Sequence, residues 1–502
     1  MTRNATTAAR GVNTPPEYVP DLSHQRRWWI LVVISLSMLM GVLDGTIVNI
    51  ALPSAQYGLG FADADRQWVV TAYALAFGSL LLLGGRIADL LGQKVTFLVG
   101  LAGFATASMV GGAANGFAML VIARAVQGLF AALMAPSALS ILMTTFTHPR
   151  ERAKAFTVAG SVAGAGAAIG LMLGGVLTEY LDWRWTMYVN VIFAGVALLG
   201  GAALLHRTPR DMSSRLDVPG TLLVSIGLFC LVYGFSNAET HGWSSFATWG
   251  MLAAGVVLVA VFAWWQSKAV HPLLPLRVLL DRNRGASFAA LFVTGAGMFG
   301  VFLFLTYYLQ QSLGFSAPKT GFAFLPMIVA SSFASAVANN VLVARIGPRP
   351  VVPLGMAIAA AGLIWMTTLD LNSGYATQVL PQLVLVGIGL GTVIAPAMSL
   401  ATSGVDAADA GVASAAVNTL QQVGGSIGIA LLSTTASDAA THYVSGRNPK
   451  DPGVLAQAGL AGYSTAYWWS AAVFVTGLVV TALLYRRGIP QQDANTAPVV
   501  HV

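Results

Sequence analysis

Residues Trp28–Pro53 read WWILVVISLSMLMGVLDGTIVNIALP. The run is long and apolar enough to cross a bilayer as a helix, which takes about 20 residues. It is too long for the apolar core of a signal peptide, and no small-residue cleavage pattern precedes Asp44. It therefore reads as a retained first transmembrane helix, preceded by a polar tail over residues 1–27. Its end, Leu43–Pro53, plants a carboxylate inside hydrocarbon. A charge there costs roughly 2.5–3.5 kcal/mol on insertion scales, so Asp44 needs a partner, a watery cavity or a titratable role.

The rest of the chain repeats the pattern. Of 502 residues, 56% are hydrophobic and 9% charged, against about 25% charged in soluble proteins. Further apolar runs lie near 67–86, 95–114, 117–144, 156–179, 185–205, 218–236, 247–266, 286–310, 321–345, 350–370, 376–402, 411–434 and 464–486, making fourteen expected spans. Lipid forces each span to satisfy its own backbone, so all are expected as helices. Strands of a membrane barrel would be about ten residues long and alternating, which these runs are not. The single cysteine, Cys230, excludes a disulfide framework.

The net charge of +7 comes from basic residues scattered through loops, which fits a topology bias rather than nucleic-acid binding. With the N-terminus inside, 20 of the 26 Lys and Arg fall in the tails and inner loops, five outside, and only Arg124 well within a span. Both termini are expected in the cytoplasm of a multi-pass protein of the cell (inner) membrane.

An internal repeat is visible. Ala135–Ser140 resembles Ala395–Leu400 at an offset of 260, Gly92–Val95 resembles Gly347–Pro350 at 255, and the first and ninth spans start 258 apart. The chain divides into a tail (1–27), a six-helix half (28–206), a linker with two extra helices (207–285), a second six-helix half (286–487) and a tail (488–502). Parallel six-helix halves place substrate at their interface in transporters.

The loop between the second and third spans reads Gly85-Arg86-Ile87-Ala88-Asp89-Leu90-Leu91-Gly92-Gln93-Lys94. It resembles the cytoplasmic signature of the major facilitator superfamily, Gly-x-x-x-Asp-x-x-Gly-x-Lys/Arg, with Leu90 and Gln93 where basic residues are common. Leu43–Pro53, Trp68–Tyr73, Arg124–Gly128 and Trp183-Arg184-Trp185 with Asn190 extend the likeness to the fourteen-helix drug:proton antiporters. The resemblance implies an all-α major facilitator fold with two extra central helices. It also implies an inner gate at Gly85, Asp89, Gly92 and Lys94, and an arginine, Arg124, tied to proton movement. In the fifth helix Gly166, Gly170 and Gly174 recur at four-residue spacing, a face for close packing completed by Gly175. Leu171 stands where the antiporter motif has proline, which weakens the inference of export.

Asp44 is the only acid deep in an expected span. It lies eight residues before the expected end of the first run, roughly 12 Å in, and Arg124 seven residues into the fourth, roughly 10 Å in. Helices one and four both line the cavity in the resembled fold, so the two residues are expected close in at least one state. A neighbouring guanidinium favours a carboxylate, while loss of water favours the neutral acid. A motion that changes either would bind or release a proton. A static structural pair is the competing reading.

Polar candidates for a substrate cavity are Tyr73, Gln127, Tyr307, Gln310, Asn418 and Gln421, each equally able to bond helix to helix. The second half has no deep acid, which favours neutral or singly charged substrates. The expected function is proton-coupled efflux of amphipathic drugs or antibiotics by a monomer, with the proton as coupling ion and neither metal nor other cofactor. A proton-coupled importer, or a lipid or metabolite transporter, on the same fold is the alternative. All seven histidines fall in loops, tails or span ends, which argues against an enzyme.

Overall fold

The computed structural model describes residues 24–488 except 63–64, 147, 207–216, 270–271, 275, 404, 406–409 and 449. Most of both expected tails lies outside these residues. Every regular element among the described residues is helical. The first half comprises α1 (His24–Leu59), α2 (Arg66–Leu91), α3 (Gln93–Gly112), α4 (Phe117–Thr145), α5 (Pro149–Tyr180) and α6 (Trp185–Leu204). The extra pair is α7 (Val218–His241) and α8 (Phe246–Lys268), followed by the short α9 (Leu276–Leu280). In the second half α10 (Arg282–Tyr307) runs into a π-helical turn, Tyr308–Ser312. The next rod is broken into α11 (Ala317–Ala323), α12 (Leu325–Val337), a π-turn at Ala338–Leu342 and α13 (Val343–Ile346). Then come α14 (Pro348–Met366), a π-turn at Tyr375–Val379 leading into α15 (Leu380–Thr402), α16 (Ala410–Val444) and α17 (Pro452–Leu484).

Among the described residues eleven stretches are long and apolar enough to cross a membrane. Helices α2, α5 and α16, of 26, 32 and 35 residues, stand at three further expected spans. Several helices overrun their apolar runs. The first continues through Pro53 to Leu59, and α17 begins at Pro452. Hydropathy marks where lipid stops, whereas a helix continues into the headgroup region as long as its backbone bonds persist. Trp468 and Trp469 consequently sit in mid-helix, 54% and 48% exposed.

Close approaches organise the first half. A Cβ at Gly84 would lie 1.9 Å from the Ala132 carbonyl oxygen, so α2 meets α4 backbone to backbone. Gly166, Gly170 and Gly174 face Leu39, Leu43 and Ile47 of α1, one helical turn apart. The repeat is written in chemistry as well as in sequence. Arg26, at the start of α1, donates from Nε and Nη2 to the Leu204 carbonyl at the end of α6. Arg282, at the start of α10, donates to the Leu484 and Leu483 carbonyls at the end of α17. In each half an arginine of the first helix satisfies the orphan carbonyls of the last.

The extra pair packs beside both halves. Ser225 Oγ donates to the Ser79 carbonyl of α2, and Thr434 Oγ1 of α16 donates to the Phe235 carbonyl of α7. One carboxylate fastens the pair near the chain-terminal face. Asp217 accepts from Gly220 N (2.9 Å), Trp265 Nε1 (2.8 Å), Gln266 Nε2 (2.7 Å) and Leu273 N (3.3 Å). Burial alone would raise its pKa, but the donors, led by Gln266 and Trp265, outweigh it and hold the group below its ordinary 3.8. Stability from a depressed carboxylate is present above the ordinary value and lost as pH falls through the folded one. Asp217→Ala is therefore expected to cost about 2 kcal/mol at pH 7. Melting of the purified protein at pH 7 and pH 3 checks this, the variant losing less on acidification than the parent.

Candidate functional site

Four helices of the first half converge on Asp44, which is fully buried. Arg124 Nη1 of α4 donates to Asp44 Oδ2 at 2.6 Å. Asn190 Nδ2 of α6 donates to Oδ1 at 2.7 Å, and Gln127 Nε2 of α4 reaches the same oxygen at 3.3 Å. Arg124 is itself held by the Val69 carbonyl of α2 (3.0 Å from Nε) and by Gln127 Oε1 (2.9 Å from Nη1). Its guanidinium lies 4.5 Å from the centre of the Tyr73 ring. Gln127 Nε2 also donates to Ser108 Oγ of α3 at 2.6 Å. Arg124 and Gln127 lie one turn apart on α4, so one helix face presents both donors.

Such a pair is expensive to create and more expensive to break. Desolvation of two ions offsets much of their attraction, while removing one partner leaves an uncompensated charge and costs about 3–5 kcal/mol.

The α1 helix continues beyond the expected end of its apolar run. It ends at Leu59, fifteen residues past Asp44. The pair forms nonetheless, because α1 projects past the start of α4.

Two of the cavity candidates, Tyr73 and Gln127, belong to this network. Tyr307 and Gln310 instead bridge the halves. Tyr307 Oη donates to Gln56 Oε1 of α1 at 2.7 Å, with the Arg66 guanidinium 4.2 Å from the tyrosine ring centre. Gln310 Nε2 donates to the Ile50 carbonyl at 3.0 Å. The π-turn at Tyr308–Ser312 inserts an extra residue per turn and so aims Gln310 at α1. Gly175 completes this junction against Ala317 and Pro318, so the face where α1 ends is closed between the halves. Asn418 is exposed on α16, and Gln421, half-buried, packs its backbone against Gly295 of α10.

At the chain-terminal face, Gly85 approaches Pro136, and Gly92 turns the chain at φ +92°. Lys94 Nζ donates to the Ala202 and Leu205 carbonyls, serving the end of α6. The Asp89 side chain lies outside what the structure describes.

Sequence reasoning used Asn190 only as part of a motif and did not single out Ser108. A lone amide in the apolar run of α6 was a readable signal for the first. Nothing distinguishes Ser108 from the many hydroxyls that bond back to their own helix.

The profile of the Major Facilitator Superfamily matches residues 34–429. The chain is 46% identical over 477 residues to the puromycin resistance protein pur8 of Streptomyces alboniger, covering 94% of each. It is 38% identical to the cephamycin export protein CmcT of Amycolatopsis lactamdurans, covering 82% of this chain and 87% of that one. In fold it is similar to the crystal structure of an auto-inhibited POT family peptide transporter, with a TM-score of 0.67 at 16% identity over 95% of this chain and 100% of the other. The match over most of its length and the likeness to these relatives show that the chain belongs to the Major Facilitator Superfamily, a family of membrane transporters.

Proposed function

We propose that the chain is a fourteen-helix, proton-coupled antiporter that exports small amphipathic antibiotics from the bacterial cytoplasm by alternating access. It works as a monomer with both termini in the cytoplasm. The observation that carries this reading is the buried Asp44–Arg124 pair, 2.6 Å apart. The names of relatives, a puromycin resistance protein and a cephamycin export protein, support export. The arginine–lysine bias supports the orientation.

Energetics limit the coupling. One proton moving down 100 mV supplies about 2.3 kcal/mol, enough for roughly a fifty-fold gradient of neutral substrate. Exchange of one proton for a monovalent cation moves no net charge and draws on the pH difference alone. In everted vesicles acidified inside, puromycin as probe is expected to accumulate. For a monovalent cationic probe a membrane potential without a pH difference is expected to drive nothing.

One observation favours a second reading, import on the same scaffold. Leu171, in place of the antiporter proline, sits where the halves touch, its carbonyl oxygen 2.3 Å from a Cβ built on Gly321. Import would appear as puromycin uptake into right-side-out vesicles acidified outside.

A further inference from the structure

The three side chains that donate to Asp44 are not held alike. Gln127 is fixed at both ends, its Oε1 by Arg124 and its Nε2 by Ser108 and Asp44. Arg124 is fixed by Val69 and Gln127 besides Asp44. Asn190 donates Nδ2 to Asp44 Oδ1 at 2.7 Å, and its Oδ1 is buried with no partner among the described residues. A buried acceptor left empty is uncommon and calls for a reason.

We infer that Asn190 is the positioning residue that adapts the site to both protonation states of Asp44, by reversing its side-chain amide. This rests on the proton-coupling reading above. Toward the carboxylate the amide presents Nδ2–H, as in this structure. When a proton from the water of whichever face is open forms an O–H bond on Asp44 Oδ1, that position becomes a donor. A half-turn of the Asn190 amide then brings its empty Oδ1 to accept. No other bond of Asn190 is lost in the rotation. Gln127 cannot do the same without turning its NH2 toward the Arg124 guanidinium.

The electrostatic surroundings are simple. The titratable groups facing Asp44 are Arg124 on α4 and Tyr73 on α2. The ionisable residues of α5 lie in its terminal turns, Lys94 opens α3, and Tyr188 of α6 lies against Gly112 of α3. Across the junction, Tyr307 turns its hydroxyl to Gln56, and Lys319 stands over Phe315.

The test is infrared difference spectroscopy of the full-length protein in liposomes, titrated with acid. The carboxylic-acid band that appears is assigned to Asp44 by its loss in Asp44→Asn. In the parent protein a side-chain amide band should change with the same midpoint. In Asn190→Leu, close in size, that amide change should vanish and the midpoint move to higher pH. A bond to a carboxylate is about twice as strong as one between neutral groups, so its loss outweighs the loss of the acid's acceptor. The expected shift is about tenfold in proton concentration, or 1.36 kcal/mol. Asn190→Ser, whose hydroxyl both donates and accepts, should recover part of the shift and guards against misfolding of the leucine variant. An amide change that persists in Asn190→Leu, or a midpoint that stays in place in both variants, overturns the inference while leaving proton coupling intact. Absence of any band that depends on Asp44 overturns the coupling reading itself.

Discussion

Asp44→Asn is expected to reduce pH-driven puromycin uptake in everted vesicles at least a hundredfold while the protein still folds. The asparagine keeps the shape of the carboxylate, and its oxygen can still accept from Arg124 Nη1, 2.6 Å away in the parent. Arg124 also retains the Val69 carbonyl and Gln127 Oε1. What disappears is the carboxylate that the proposed coupling step protonates. Downhill exchange of labelled for unlabelled puromycin, which needs no proton, should persist. Arg124→Leu should behave differently. It leaves a carboxylate buried in the core with only two amide donors, at a cost of about 3–5 kcal/mol. Lower expression and a lower melting temperature are expected, and Asp44→Asn introduced on top should restore part of both. Undiminished pH-driven uptake by Asp44→Asn would end the coupling proposal. Equal loss of exchange and of pH-driven uptake would show the pair to be structural.

The fold and half of the site were legible in the sequence because they rest on strong local signals. Helical spans announce themselves through hydropathy, since lipid leaves the backbone no alternative. An acid in such a run is rare enough to be noticed. The Gly166, Gly170 and Gly174 face could be read because close helix approach needs small residues at fixed spacing. Helix ends were misplaced at Leu59 and Pro452, where polarity resumes but backbone bonding does not stop. The partners of Tyr307 and Gln310 could not be read. Their bonds cross from one half to the other, over about 250 residues of chain, and Gln310 lies in a π-turn that no composition signals. Asn190 fell between these cases: visible as a polar residue, but silent about which oxygen it would meet.

Gly175 offers the sharpest contrast within one helix. A Cβ there would lie 2.5 Å from Pro318 Cα and 2.6 Å from the Ala317 carbonyl oxygen, both backbone atoms of the other half. At Gly166 the nearest atoms all belong to α1 of the same half, the end of the Leu39 side chain at 3.1 Å and the Leu39 carbonyl oxygen at 3.3 Å. Gly175→Ala should therefore hold the halves apart at the face where α1 ends, and Gly166→Ala should not. Because Gly175 packs between the halves, its replacement should leave the melting temperature nearly unchanged. Transport should nonetheless fall at least tenfold, since alternating access requires this face to close once in every cycle. The position of the junction can be read directly. With Cys230 replaced by serine, a cysteine at Ile50, fully buried in the closed face, reports opening. A membrane-impermeant maleimide should label Ile50→Cys at least ten times faster when Gly175→Ala is present. Gln310 binds the carbonyl of residue 50 and not its side chain, so the probe itself leaves that bond in place. Separation here would pull on α1 less than two turns from Asp44. The closed junction and the buried ion pair then belong to one helix and one motion. Unchanged labelling together with unchanged transport would show that the contact at Gly175 is dispensable and that the halves close elsewhere.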